Sequence, residues 1–336
     1  MRHVCFAVLL LLAGSLLNAC GKDQSATPQA NATAPAAKRQ LLIGFLGKSQ
    51  ANDVFRVAEA GAKAAVVSLQ KKYNISISLE LRTPSEEDAT KQAEAIEALT
   101  RMGADGIAVS ASEGNTLRPA VDKAVEKGVV VITFDSDVPN SKRLAYYGCD
   151  DVACGARLLD YLAQSMHQKG TVAILAGNQS APNLQLRVKG VENELQKYPD
   201  MQLLQPNGVF YHQETPEKAA EAVADAMNAN PGIQGWAMVG GWPLFTTDAL
   251  RWDPGTVKVC SWDALPAELT YLRDGHVDVL LAQDCYGWGY KTVTAIVEKI
   301  IDHKDPDPKS FFDPLTPVTK ENVDAWAQNW KVWLPS

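Results

Sequence analysis

Short apolar runs alternate with amphipathic helical stretches from Leu41 to His303, and this rhythm restricts the fold more than any other property of the chain. The strand-like runs are Leu41–Leu46, Ile75–Leu81, Ile107–Ser110, Val129–Ile132, Arg143–Tyr147, Thr171–Ala176, Gln202–Tyr211, Gly235–Val239, Val257–Trp262 and Val277–Gln283. Helical periodicity fills the gaps. Asp53–Tyr73 sets Phe55, Ala58, Ala62, Ala65, Val66 and Leu69 on one face. Ser85 reads as the cap of a helix reaching Met102, and helices are expected over Asn115–Lys127, Asp151–Gln168, Asn183–Tyr198, Pro216–Asn230, Leu244–Leu250, Leu265–Asp274 and Tyr286–His303. Strands that alternate with helices form parallel sheets covered on both faces, and there are more strands than one sheet holds comfortably. The expected fold class is therefore α/β, with two similar doubly wound parallel-sheet lobes.

The most informative strand is Val129–Ile132, four β-branched residues in succession, as in a parallel strand buried on both faces. It runs into Asp135, Ser136 and Asp137, so carboxylates and hydroxyls gather at its carboxyl end, where open α/β sheets place their ligand crevice. Collecting the residues that close the other strands gives Lys48, Ser49, Asn52, Ser110, Ser112, Asn178, Gly240 to Trp242, Asp263 and Gln283. This set is rich in amides and carboxylates and holds no nucleophile paired with a base. Fixed planar acceptors and donors suit a polyhydroxylated ligand, because each hydroxyl both donates and accepts. Phe55, Trp242, Trp262 and Trp288 lie alongside and supply apolar faces for a sugar ring, with Trp242 read as part of an exposed turn. The five histidines show no metal-ligand spacing and the glycine pairs do not form a phosphate loop, so neither a metal nor a cofactor is expected.

The amino terminus describes where the chain works. Arg2 and the apolar run Val4–Leu17 form an export signal too short to span a bilayer comfortably. Leu17-Asn18-Ala19-Cys20 resembles a bacterial lipobox, which makes Cys20 the expected lipidation site and residues 1–20 a lipoprotein signal peptide. Residues 21–40 are small and polar, a flexible tether. The expected location is the periplasm or cell surface, with the protein anchored to a bacterial membrane. Cys149, Cys154, Cys260 and Cys285 then remain as possible disulfide partners. Cys149 and Cys154 flank a helix start as hydrophobic-staple neighbours, Cys260 and Cys285 make a weaker pair, and free buried thiols are the alternative. A formal charge of −7 argues against nucleic acid as a partner.

Taken together, several segments resemble the type I periplasmic sugar-binding proteins of ABC importers, the group that includes ribose-, allose- and galactose-binding proteins. They are Lys48 to Phe55, Val131 to Asp137, Gly148-Cys149-Asp150-Asp151, Arg187-Val188-Lys189-Gly190, Ser261 to Pro266, Leu281-Ala282-Gln283 and Tyr286 to Tyr290. The resemblance implies three passages between lobes, near Cys149/Asp150, Gln283/Asp284 and Pro314–Val318. The N-terminal lobe is then 41–149 with 284–314, and the C-terminal lobe 150–283 with 315–336. It also implies that Asn52, Asp135, Asp263 and Gln283 hydrogen-bond sugar hydroxyls and that Phe55 stacks on the ring. Where ribose binders carry two arginines and an asparagine, this chain has Ser136, Gln185 and Gly240, which implies the loss of two cations and an amide, with Trp242 beside the vacated place. The implied function is a monomeric, non-enzymatic receptor that captures a monosaccharide or polyol and hands it to an ABC permease. A sensor subunit docking on a chemoreceptor or sensor kinase is the alternative.

Overall fold

The computed structural model describes residues 39–334. The leader, nearly all of the tether and the lipidation motif at Cys20 lie outside the described residues. In chain order the elements are β1 (Gln40–Leu46), α1 (Asp53–Tyr73), β2 (Ser76–Leu81), α2 (Ala89–Arg101), β3 (Gly106–Val109), α3 (Gly114–Glu126), β4 (Val130–Phe134), β5 (Ala145–Gly148), α4 (Asp151–Ser165), β6 (Gly170–Leu175) and α5 (Pro182–Leu195). There follow β7 (Met201–Leu203), β8 (Val209–Phe210), α6 (Pro216–Ala229), β9 (Gly235–Met238), a 3-10 turn (Trp242–Phe245), β10 (Lys258–Trp262), α7 (Glu268–Asp274), β11 (Val279–Ala282), α8 (Cys285–Asp302), β12 (Ser310–Phe312), β13 (Thr316–Val318) and α9 (Val323–Trp333).

Two sheets form. The first has the order β12-β5-β4-β3-β1-β2 and is parallel throughout. The second has the order β13-β11-β10-β9-β6-β7, with β8 also beside β6, and is parallel except for β13. The core orders β2-β1-β3-β4-β5 and β7-β6-β9-β10-β11 correspond strand for strand, which makes β4 equivalent to β10 and β5 equivalent to β11. Strands β3, β9 and β11 are buried along their whole length, as apolar strands covered on both faces must be. Register then sets the chemistry at the edge. Pairing Val109 with Thr133 brings Ser110 and Asp135 out together, and pairing Trp262 with Leu281 does the same for Asp263 and Gln283.

The chain passes from the first sheet to the second between β5 and α4, returns between β11 and α8, and passes again between β12 and β13. Helix α8 packs on α1, β3 and β4, whereas α4 packs on α5, β9 and β10. Each passage contributes one group to a polar cluster. Lys291 Nζ lies 2.7 Å from Tyr147 Oη, 3.0 Å from Asp284 and 2.6 Å from Asp313. Helices α4 and α5 approach closely because Gly155 and Gly190 face each other's backbones: a Cβ at Gly190 would stand 2.1 Å from the Val152 carbonyl oxygen. That contact fixes α5, which carries Asn183 and Arg187, against α4.

Several boundaries differ from the sequence reading. Helix α2 starts at Ala89 with Asp88 as its cap, because Pro84 and Ser85 offer their carbonyls to Gln50 and Ser49. The 202–211 region divides into β7 and β8, and the short helix expected over 244–250 is the 3-10 turn at Trp242–Phe245. Neither possible disulfide is present; Cys149, Cys154, Cys260 and Cys285 are free, buried thiols, as in the alternative reading. Cys260 belongs to the core beneath the second sheet, while Cys285 starts α8 and packs in a different cluster, so these two do not meet. Among the described residues no helix is long and apolar enough to cross a membrane.

Candidate functional site

The carboxyl ends of both sheets converge on a narrow cavity of about 20 Å³. Its walls are Lys48, Asn52, Val54, Phe55 and Asp135 from the first lobe and Asn183, Leu184, Arg187, Glu214, Gly240, Trp242, Asp263 and Gln283 from the second, with Trp288 of α8. This is far below the roughly 300–1,000 Å³ usual for small-molecule sites, because wall residues of the two sheets already meet one another across it, Lys48 with Glu214 and Arg187 with Asp135. Several walls have clear local causes. Asn52 caps α1 by accepting from the Val54 amide at 3.1 Å, which turns the chain sharply after β1. Gln92 ties the edge together, donating to the Gly47 and Ser110 carbonyls and accepting from the Ser112 amide, all at 2.8–2.9 Å. Asp135 and Asp263 close the equivalent strands β4 and β10, and both adopt left-handed backbone conformations, φ 55° and 73°. Such a conformation costs about 1 kcal/mol or more outside glycine. Here it turns each carboxylate back over its own strand end into the cavity.

The two aspartates are joined through one cation. Arg187 Nη2 donates to Gln283 Oε1 at 3.1 Å and lies 3.9 Å from Asp135, while Gln283 Nε2 donates to Asp263 at 2.7 Å. Nε of Arg187 donates to Asp151 at 2.8 Å, Nη1 donates to the Val239 carbonyl at 3.1 Å, and the guanidinium covers the Trp262 ring at 4.2 Å. Asp135 also accepts from Ser110 Oγ at 2.7 Å and Asn183 Nδ2 at 3.4 Å. Burial pushes the Asp263 carboxyl up to about 6 against the pull of Gln283 and Arg187. Burial also takes Asp151 to about 6, although Arg187 draws it the other way. The surrounding carboxylates hold Arg187 above its ordinary range despite its own burial.

A second cation closes the cavity from the other side. Lys48 Nζ, on the first lobe, lies 3.0 Å from Glu214 of the second lobe and 3.5 Å from Glu87 of its own. Asn178 of the second lobe donates its amide N–H to Glu214 and its Nδ2 to Glu87. Burial, with Glu87 beside it, raises Glu214 to about 7 even though Lys48 lowers it. Burial alone would depress Lys48, but Glu214, Glu87 and Asp135 outweigh that and raise it.

Of the residues singled out from the sequence, Lys48, Asn52, Phe55, Asp135, Trp242, Asp263 and Gln283 line this cavity, and Ser136 and Gln185 do not. Ser136 is fully buried behind Asp135, with its carbonyl bonded to the Ala111 amide. Gln185 accepts from Tyr211 on the far face of α5. Trp242, expected in an exposed turn, is 5% exposed. Its ring fills the space above Gly240, where a Cβ would come within 2.3 Å of it. The implied loss of two cations is corrected in part: Arg187, two residues beyond Gln185, brings one guanidinium to the site. Arg187, Asn183 and Glu214 do not stand at strand ends, Asn183 and Arg187 lying on α5 and Glu214 in the loop before α6, so strand-end position does not reveal them. The signal available was the i, i+4 spacing of Asn183 and Arg187 near the start of a helix that follows a strand. Among the described residues no cluster of His, Cys, Asp and Glu suited to a metal is present.

A model of the periplasmic binding protein domain matches residues 43–304. The chain belongs to this family. The periplasmic binding protein described here has type I architecture, and its relatives are named for small polyhydroxylated solutes. It is 29% identical over 281 residues to the D-ribose/D-allose-binding protein of Pseudomonas aeruginosa, covering 80% of this chain and 83% of that one. It is 22% identical over 303 residues to the xylose/arabinose-binding protein XylF of Sulfolobus acidocaldarius, covering 84% and 72%. Among solved structures, an ABC transporter solute-binding protein from Burkholderia graminis, in complex with D-arabinose, superposes with a TM-score of 0.78 at 25% identity, covering 85% of this chain and 97% of that one. The XylFII-LytSN complex gives 0.73 at 21% identity, covering 84% and 98%.

Proposed function

We propose that this periplasmic binding protein is an extracytoplasmic receptor that encloses one neutral monosaccharide or related polyol between its lobes and delivers it to an ABC permease. The observation that carries the reading is the pair Asp135 and Asp263, presented from equivalent strand ends and held by Ser110, Asn183, Gln283 and Arg187. Ionised carboxylates accept strongly from hydroxyls, and the amides of Asn52, Asn183 and Gln283 both donate and accept, which matches vicinal diols. Phe55, Trp242 and Trp288 supply apolar walls. Both cations in the wall already face carboxylates, so the site offers little to an anionic ligand. The names of the relatives, ribose, allose, xylose and arabinose binders, agree with this class.

Closure follows from the topology. The lobes, 41–149 with 284–314 and 150–283 with 315–336, rotate about the three passages, and the ligand stabilises the closed form by contacts made to both lobes at once. Export, lipidation at Cys20 and membrane anchoring complete the proposal. A sensor role is the second reading, favoured by the solved assembly of a protein of this fold, XylFII, with LytSN. A thermal-shift screen of the purified protein against pentoses, hexoses, polyols, sugar acids and amino acids tests the ligand class. A ligand at about 1,000 times its dissociation constant adds about 4 kcal/mol, a rise in midpoint on the order of 8 °C. A response confined to sugar acids or amino acids would exclude the proposed class.

A further inference from the structure

Two thiols stand at the first passage between the lobes, behind Arg187 of the candidate site. Cys149 precedes the cap residue Asp150 and Cys154 lies one turn into α4, the two positions that pack together where a chain enters a helix, and both belong to the same buried cluster. Cys149 also donates to Asp151 Oδ1 at 3.2 Å, the same oxygen that accepts from Arg187 Nε at 2.8 Å. Its sulfur is 4.0 Å from Arg187 Nη2, which reaches on to Gln283. The pair lies just beneath the surface: Cys149 forms part of the wall of a surface cavity of about 280 Å³, together with Asp137, Asp150, Pro182 and Phe312, and Cys154 is 8% exposed.

We propose that Cys149 and Cys154 form a reversible disulfide whose redox state tunes the ligand site through Asp151 and Arg187. The second half of this proposal rests on the sugar-receptor reading; the first does not. The oxidant is a small-molecule or protein disulfide of the extracytoplasmic space. One cysteine thiolate attacks a sulfur of that disulfide and releases a thiolate, leaving a mixed disulfide. The other cysteine, losing its proton, then attacks the protein sulfur of the mixed disulfide and expels the second thiolate. Two protein thiols are oxidised by two electrons, one external disulfide is reduced to two thiols, and the two protons lost by the cysteines end on those thiols. The Cys154 thiol is the readier first nucleophile, because it stands in the first turn of a helix, whose amide end favours a thiolate.

Oxidation removes the S–H that Cys149 gives to Asp151. Arg187 is then the remaining side-chain donor to that carboxylate and is drawn toward it, away from Gln283. The oxidised protein should bind sugar more weakly, by roughly threefold to tenfold, since one hydrogen bond to a charged group is redistributed rather than lost.

The full chain is incubated with glutathione disulfide or with dithiothreitol, alkylated after unfolding, and mapped by mass spectrometry. Affinities for D-arabinose and D-ribose and thermal midpoints are measured on both forms, and on the Cys154→Ser and Asp151→Asn variants. The expected results are a Cys149–Cys154 linked peptide that dithiothreitol reverses, weaker sugar binding after oxidation, and no oxidant response in Cys154→Ser. The difference in midpoint between oxidised and reduced forms, which needs no sugar, should shrink in Asp151→Asn. Failure to form the link, or linkage to Cys260 or Cys285 instead, would overturn the redox pair. An unchanged affinity, or a midpoint difference equal in Asp151→Asn and the parent, would overturn the coupling. If the reduced parent binds neither sugar, the receptor reading fails, while the mapped link and the midpoint difference still decide this proposal.

Discussion

Replacing Arg187 by Met separates what holds the fold from what holds the ligand. The substitution keeps the length of the apolar stem and removes the partner of Asp151, the donor to the Val239 carbonyl and the anchor of Gln283. Breaking a buried ion pair from one side costs about 3–5 kcal/mol, because the other charge stays buried without compensation. At about 2–4 °C per kcal/mol for a chain somewhat shorter than this one, the midpoint should fall on the order of 10 °C. The pH dependence gives the sign. Asp151 already sits at about 6 in the fold, above its value in the unfolded chain, and losing Arg187 moves it further up. A raised carboxyl costs stability above its unfolded pKa, and that cost is relieved as pH falls through the folded value. Calorimetry should therefore find Arg187→Met more damaging at pH 8 than at pH 5. Adding Asp151→Leu should recover most of the midpoint, since apolar replacement of a whole buried pair is close to neutral, but should not recover sugar binding. A loss below about 1 kcal/mol, or one independent of pH, would refute the assignment of Arg187 as the partner on which Asp151 depends.

Three further outcomes follow from the same contacts. Asp263→Ala should weaken sugar binding by about 2–4 kcal/mol, roughly 30- to 1,000-fold by titration, with the far-ultraviolet circular dichroism unchanged. Closing the lobes takes Glu214 from water to a site where its carboxyl stands at about 7, so closure takes up protons and affinity should rise as pH falls from 8 toward 6. Glu214→Gln should flatten that slope, and an identical slope in both proteins would exclude Glu214 as its source. Cys20→Ser should move the protein from the membrane fraction to the soluble extracytoplasmic fraction, whereas retention in the membrane would contradict lipid anchoring.

The lobes were legible because alternation of strands and helices has few structural alternatives, and because buried parallel strands read as unbroken apolar runs. Asp135 and Asp263 could be read for a related reason: each interrupts such a run at its carboxyl end, so position in sequence specifies position on the edge. Arg187 and Asn183 were hidden because they lie on a helix face whose direction depends on how α4 and α5 meet at Gly155 and Gly190. Glu214 was hidden by a different cause, since it reaches Lys48 only when both lobes are in place. The start of α2 moved because tertiary bonds from Ser49 and Gln50 claim the residues that would otherwise cap it. Trp242 looked like surface beside Gly240 and Gly241, yet those glycines leave the space its ring occupies.

The central claim is that Asp135 and Asp263, linked through Arg187 and Gln283, form one site for a neutral polyhydroxylated ligand. Isothermal titration of the purified protein with D-ribose, D-arabinose, D-xylose and xylitol tests it most directly. At least one should bind with 1:1 stoichiometry and a negative heat-capacity change from the apolar surface buried on closure, and that heat should vanish in Asp263→Ala. Heat from an anionic solute with none from any of these four, or undiminished sugar binding by Asp263→Ala, would contradict it.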